Sequence, residues 1–180
     1  MDQPLLLPTG AFAAEAPPEG AWGCARTRSR AEKRLGLWLS AAGTPCYVPT
    51  MARQSVSHRR VRIAQTPLFP GYVFFSGDGG KALFRHAPGF VDLVPCTIQQ
   101  AGRLGVELWH IWRSLCAGSP LELVHRLEPG AEVVVVSGAL KGLRGRFERW
   151  GQGSRLVLWV EMLGAGAAME IDEAAVARIG

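Results

Sequence analysis

The run Pro67-Leu68-Phe69-Pro70-Gly71-Tyr72-Val73-Phe74-Phe75 constrains this chain more than any other stretch. Two prolines fix the approach, because Pro locks φ and has no N–H to donate. Gly71 admits a backbone angle that other residues avoid. The aromatic, β-branched residues that follow read as a strand. Period-two alternation puts Tyr72 and Phe74 on one face and Val73 and Phe75 on the other. One aromatic face serves a core. The second reads as a docking surface, although a strand buried on both faces gives the same pattern.

Charge narrows the partner. Lys and Arg outnumber Asp and Glu by six over residues 1–126, whereas residues 127–180 carry a net −1. Between Arg26 and Arg62 the balance is +8, with Glu32 the only acid. Such a concentration is the footprint of a polyanion partner. Cys24, Cys46, Cys96 and Cys116 lie far apart, and His58, His86, His110 and His125 form no close pairs with them. That spacing argues against a zinc site and for four buried thiols. No phosphate-binding loop, nucleophile elbow or clustered carboxylate pair occurs, so no enzyme, cofactor or metal is expected.

Residues 1–20, with four prolines and no basic start, read as a flexible tail. No apolar run reaches membrane-spanning length, so a cytoplasmic protein with no membrane partner is expected. Residues 21–118 suggest an antiparallel sheet with helices, an α+β sandwich. Its first helix follows Ser29, with Glu32 at capping-box spacing, apolar Ala31, Leu35, Leu39 and Ala42, and Gly43 as the stop. Met51 to Thr66 reads as a loop or loose hairpin exposing Arg59, Arg60 and Arg62. A second helix is predicted over Arg103 to Ala117, with Leu104, Leu108, Ile111, Trp112 and Leu115 on one stripe. Residues 119–126 read as a connector. From 127 to 180, short β runs punctuated by glycine suggest a small all-β barrel.

The residues now assembled resemble a known family. Trp22, Arg26, Glu32, Gly43, Pro49, the Pro67–Phe75 run, Gly89 and Val91 fall in the order of the N-terminal domain of NusG-like transcription elongation factors. Glu128-Pro129-Gly130, Val133, Val135, Gly138, Leu143 and Gly145 resemble that family's KOW motif. The wording Pro-Leu-Phe-Pro-Gly-Tyr is most similar to the operon-specific, RfaH-like members. The resemblance spans about residues 21–180 and implies an NGN-type domain followed by an SH3-like KOW barrel.

It further implies a non-enzymatic factor in transcription elongation, antitermination and regulation. RNA polymerase would be bound at the clamp coiled coil through Phe69, Pro70, Tyr72 and Phe74. The exposed non-template DNA strand would meet Arg28 and Arg34 at the start of the first helix, with Arg26, Arg30 and Lys33 adding charge. Gly80, Lys81 and Ala82 fall where relatives touch the far side of the polymerase cleft. The KOW domain would recruit Rho or a small-subunit ribosomal protein, through Leu156 to Val160 and Leu140, and no stable all-helical form of it is expected. The alternatives are a housekeeping NusG-type factor, or an RNA- or ribosome-associated KOW protein. The acidic balance of residues 127–180 speaks against the last.

Overall fold

The protein, in a computed structural model, is described over residues 5–7, 12–13, 15–57, 60–77, 81–126, 130–150 and 153–179. The chain runs β1 (Leu5–Leu7), β2 (Trp22–Thr27), α1 (Glu32–Ala41), β3 (Cys46–Val48), β4 (Thr50–Ser57), β5 (Arg60–Pro67), β6 (Tyr72–Ser76) and β7 (Phe90–Leu93). Then follow α2 (Ile98–Cys116), β8 (Glu122–Val124), β9 (Ala131–Val135), β10 (Arg144–Trp150), β11 (Gly153–Val160), β12 (Ala165–Glu170) and β13 (Val176–Arg178). Among the described residues, two larger antiparallel sheets, a two-stranded ribbon and two α-helices make this an α+β protein.

The first sheet has the order β1-β3-β6-β2-β7, and β4 and β5 form a separate two-stranded ribbon. The alternation expected of Tyr72–Phe75 is present, but both faces of the strand are covered. Val73 and Phe75 join Ala25, Leu35, Leu39, Cys46 and Val48 on the α1 side. Phe74 joins Trp22, Cys24, Tyr47, Leu104 and Leu108 on the α2 side. A parity argument assigns residues to faces but does not say how many faces are packed.

α1 ends as expected, at Ala42 with Gly43 beyond it. Its start differs. The N-cap is Ala31, with no side-chain cap, so Ser29 and Glu32 do not form a capping box. The capping box lies at α2, where the Thr97 side chain accepts from the Gln100 N–H and Gln100 reaches back to the Thr97 N–H. That cap starts α2 five residues before Arg103. The added turn packs no apolar side chain into the core, its Ile98 being 94% exposed, so the apolar stripe carries no trace of it.

The expected flexible tail needs correction where residues 5–20 are described. Leu5–Leu7 pair with Cys46–Val48 at the sheet edge. Phe12 is 4% exposed, with ring centroids 5.1 Å from both Trp22 and Tyr47. Trp109 Nε1 donates to the Ala13 carbonyl at 2.7 Å. A proline-rich composition therefore conceals a strap over the α2 side of the sheet. Phe12→Ala is expected to destabilise this strap by about 2 kcal/mol, below the usual range for a buried Phe, because the segment can peel away alone. Faster amide exchange of Trp22 and Tyr47, with the global melt little changed, is the observable.

The second sheet has the order β13-β9-β10-β11-β12-β8. β8 comes from the expected connector and pairs with β12. Leu143 is fully buried at its centre, as expected. Leu156, Val157, Leu158 and Val160 are buried too, which corrects their reading as an exposed partner face. β11 is an interior strand, flanked by β10 and β12, and it also meets α2. Two thiols, Cys24 and Cys46, are buried; Cys96 and Cys116 are exposed, which corrects the expectation of four buried ones. Burial pushes the Cys46 thiol up to about 12, so it stays protonated.

Candidate functional site: a clasped corner beside a basic helix start

The Pro70-Gly71 corner is tied to the segment that opens α1. The Gly71 N–H donates to Glu32 Oε1 at 2.7 Å, and the Gly71 carbonyl accepts from the Thr27 N–H at 2.8 Å. Gly71 takes φ +84°, the left-handed region that glycine tolerates. Glu32 is thus not a surface acid: it is 4% exposed and spends its carboxylate on a backbone donor. One residue on, the Arg28 N–H donates to the Gly89 carbonyl at 2.8 Å. The aromatic strand and the basic segment are held as one unit.

On that unit the predicted residues divide. Arg26, Arg28, Arg30, Lys33 and Arg34 are all exposed. Arg30 has φ +63°, a conformation that costs a non-glycine residue about 1 kcal/mol or more. Pro70 is exposed and Tyr72 is partly exposed. Arg26 and Tyr72 are cross-strand partners, so cation and phenol share one face. Phe69 and Phe74 are 3% and 0% exposed and meet edge to face at 5.9 Å. Their expected place on an open docking face is therefore corrected, since both rings fill the core. Gly80 lies outside the described residues, as do His58, Arg59, Glu128 and Pro129.

In the second sheet, Gly138 turns the chain after β9 with φ +76°. A Cβ on Gly145 would stand 2.7 Å from the Val157 carbonyl oxygen, so only glycine lets β10 approach β11 there. Those two motif residues shape the backbone, and Leu143 fills the space beneath.

Sequence reasoning missed the cleft where α2 meets the second sheet. Arg103 pairs with Glu161 at 3.5 Å, and Arg113 Nη2 donates to the Lys141 carbonyl at 2.9 Å. Glu107 Oε2 accepts from the Glu161 N–H at 3.3 Å. Burial raises the Glu107 carboxyl to about 7; the Glu161 charge raises it further, while the Glu161 N–H and Arg103 oppose. Burial, with Arg113 and Arg144, lowers His110 to about 4. None of this was visible in the sequence, because the groups lie far apart along the chain. Among the described residues, no group of three or more His, Cys, Asp or Glu could hold a metal ion. No helix there is long and apolar enough to cross a membrane.

The two titrations act in opposite directions. Glu107 contributes stability below the unfolded carboxyl pKa, and that contribution is lost as pH rises through about 7. His110 contributes stability above its unfolded pKa, lost as pH falls through about 4. Glu107→Gln removes only the first. We expect it to stabilise the protein by about 1–2 kcal/mol at pH 8 and by nothing at pH 4. Equal melting shifts at both pH values would sink this assignment.

The family model described as "Transcription termination factor nusG" matches residues 20–102, which contain the clasped corner and the basic helix start. Two solved structures are similar to the chain. "Domain interaction in Thermotoga maritima NusG" shares 18% identity over 89% of this chain and 97% of its own, with a TM-score of 0.40. "Crystal Structure of MjSpt4:Spt5 complex conformation A" shares 16% identity over 88% of this chain and 98% of its own, with a TM-score of 0.28. No curated protein sequence matches the chain. Residues 20–102, which hold the clasped corner and the basic helix start, are thus similar to the NusG family.

Proposed function

We propose that the chain is a non-enzymatic transcription elongation and antitermination factor that binds RNA polymerase at the clamp coiled coil. The observation that carries this reading is the clasp, in which Gly71 joins Thr27 and Glu32. It sets exposed Pro70 and half-buried Tyr72 beside a cationic surface. A partner with an apolar stripe next to nucleic acid would meet both at once. Tyr72 and Pro70 make the polymerase contact, with Phe69 and Phe74 packed behind them. Arg26, Arg28, Arg30, Lys33 and Arg34 contact the non-template strand, where guanidinium groups reach phosphates and stack on unpaired bases.

Residues 21–118 are the polymerase-binding domain, 119–126 the connector and 127–180 a KOW domain with an SH3-like barrel. The buried Leu143 and the close approach at Gly145 support the last assignment. Rho or a small-subunit ribosomal protein is its partner class; Val136 and Ile179 are among its exposed apolar positions. The basic helix start and the Pro67-Leu68-Phe69 wording favour a specialised, operon-specific role over a housekeeping one.

The test is binding of the purified full chain to a reconstituted elongation complex. Tyr72→Ala is expected to weaken binding by at least about tenfold, equivalent to roughly 1.4 kcal/mol, with an unchanged melting curve. Equal affinity of Tyr72→Ala and wild type would overturn the clamp contact, as would no wild-type binding at micromolar concentration.

A further inference from the structure

The N-terminal strap lies in a groove of aromatic rings between β3 and α2, and Phe12 is its anchor. Trp22 and Tyr47 flank that ring at 5.1 Å, and the Trp112 ring lies 5.9 Å away. Trp109 closes the groove through its bond to the Ala13 carbonyl. A Cβ on Gly105 of α2 would stand 2.9 Å from Trp22 Cδ1 and 3.2 Å from Pro18 Cγ. Glycine at that position lets helix, indole and strap meet.

The strap does not satisfy the groove it fills. Trp22 Nε1 and the Tyr47 hydroxyl are buried and have no hydrogen-bond partner among the described residues. Their residues are 1% and 0% exposed. A buried donor left unpaired costs the full desolvation of that group. Trp22 Nε1 stands at the junction with the strap, 3.2 Å from the same Cβ position on Gly105. An occupant carrying an acceptor there makes a bond that the strap does not. The strap's hold on the sheet is also slight, because β1 pairs through three residues with β3. When β1 leaves, the edge of β3 opens to another strand.

The composition of the strap describes the occupant. Residues 1–20 contain one aromatic residue, three acids and no Lys or Arg. Glu15 and Glu19 are exposed. The sequence that follows is basic, with a balance of +8 between Arg26 and Arg62. Charge therefore draws an acidic segment to this part of the molecule, and the ring of Trp and Tyr side chains selects an aromatic anchor from it.

We infer that the groove between β3 and α2 is a peptide-binding site held shut by the strap, and that its partner is an acidic, extended segment with one aromatic anchor. The strap is then an intramolecular competitor for its own groove. This goes beyond the proposed polymerase contact through Pro70 and Tyr72, and does not rest on it.

The test is fluorescence anisotropy of a labelled peptide of residues 1–20, titrated with the full chain as wild type and as Phe12→Ala. In the wild type the tethered strap competes at an effective concentration that a short tether puts in the millimolar range. Loosening it removes much of that competition, so Phe12→Ala protein is expected to bind the peptide at least about tenfold more tightly than wild type. A peptide that itself carries Phe12→Ala is expected to bind that protein at least about tenfold more weakly, having lost its anchor. A Glu15→Lys/Glu19→Lys peptide is expected to bind about threefold or more weakly at low salt, the difference closing as salt rises. Equal affinity of the two proteins for the peptide overturns the inference, as does equal affinity of any two of these peptides at low salt. A Phe12→Ala protein whose global melt collapses shows the strap to be core, and also overturns it. So does a wild type that sediments as a dimer by exchanging straps, since a second copy would then fill the groove.

Discussion

Phe74→Ala is expected to destabilise the protein by about 3–5 kcal/mol, among the largest effects of any single truncation here. The ring is wholly buried between the sheet and α2, edge-on to Phe69, and its strand neighbours across the sheet are Cys24 and Tyr47. Little can collapse into the space it would leave, because both flanking strands are held by hydrogen bonds on either side. A thermal or urea melt checks this, and a midpoint unchanged from wild type would mean the ring is not packed between sheet and helix. The consequence for function is practical. Loss of polymerase binding in Phe74→Ala would report on folding, whereas the same loss in Tyr72→Ala, at the open end of the same face, would report on contact. The two residues differ only by two positions along β6, and burial separates their roles.

That separation also marks how far the sequence could be read. Elements defined by local rules were legible: the Pro-Gly corner, the β6 alternation, the stop of α1 at Gly43, the buried Leu143 of the second sheet. Each depends on residues within a few positions of one another. What long-range packing decides was not. Glu32 stands at capping-box spacing from Ser29, yet its carboxylate goes to Gly71, 39 residues away. Phe12 lies among prolines and small residues that suggest disorder, but three aromatic rings surround it. Leu156 to Val160 has the hydrophobicity of either a core strand or a docking face, and only its position between β10 and β12 decides for core. Among the site residues, the exposed arginines were readable from charge alone. Which aromatics stay open was not, because parity puts Phe74 and Tyr72 on the same face.

Arg155→Ala is the second large effect expected, again about 3–5 kcal/mol. Arg155 and Glu148 are cross-strand partners in the β10–β11 hairpin, with Nη2 to Oε2 at 2.8 Å and Nε to Oε2 at 2.9 Å. The carboxylate side chain is 2% exposed and the arginine 11%, so the pair is withdrawn from water and little screened by salt. Truncating the arginine takes its double hydrogen bond from a carboxylate that water cannot readily reach, and that desolvation makes the loss large. A melting point lower by roughly 10 °C is the expected reading. The paired replacement Glu148→Leu/Arg155→Leu removes charge from both sides and should recover most of that loss, since apolar groups of similar volume often match a buried ion pair in stability. If the double variant melts as low as Arg155→Ala, the pair is worth more than its desolvation and the hairpin depends on the ion pair itself. If Arg155→Ala alone melts like wild type, solvent enters beneath β11 and the second sheet is more open than its burial implies. Because β11 also carries the Val157 carbonyl that Gly145 approaches, the same melt tests whether this hairpin is the rigid base of the second sheet.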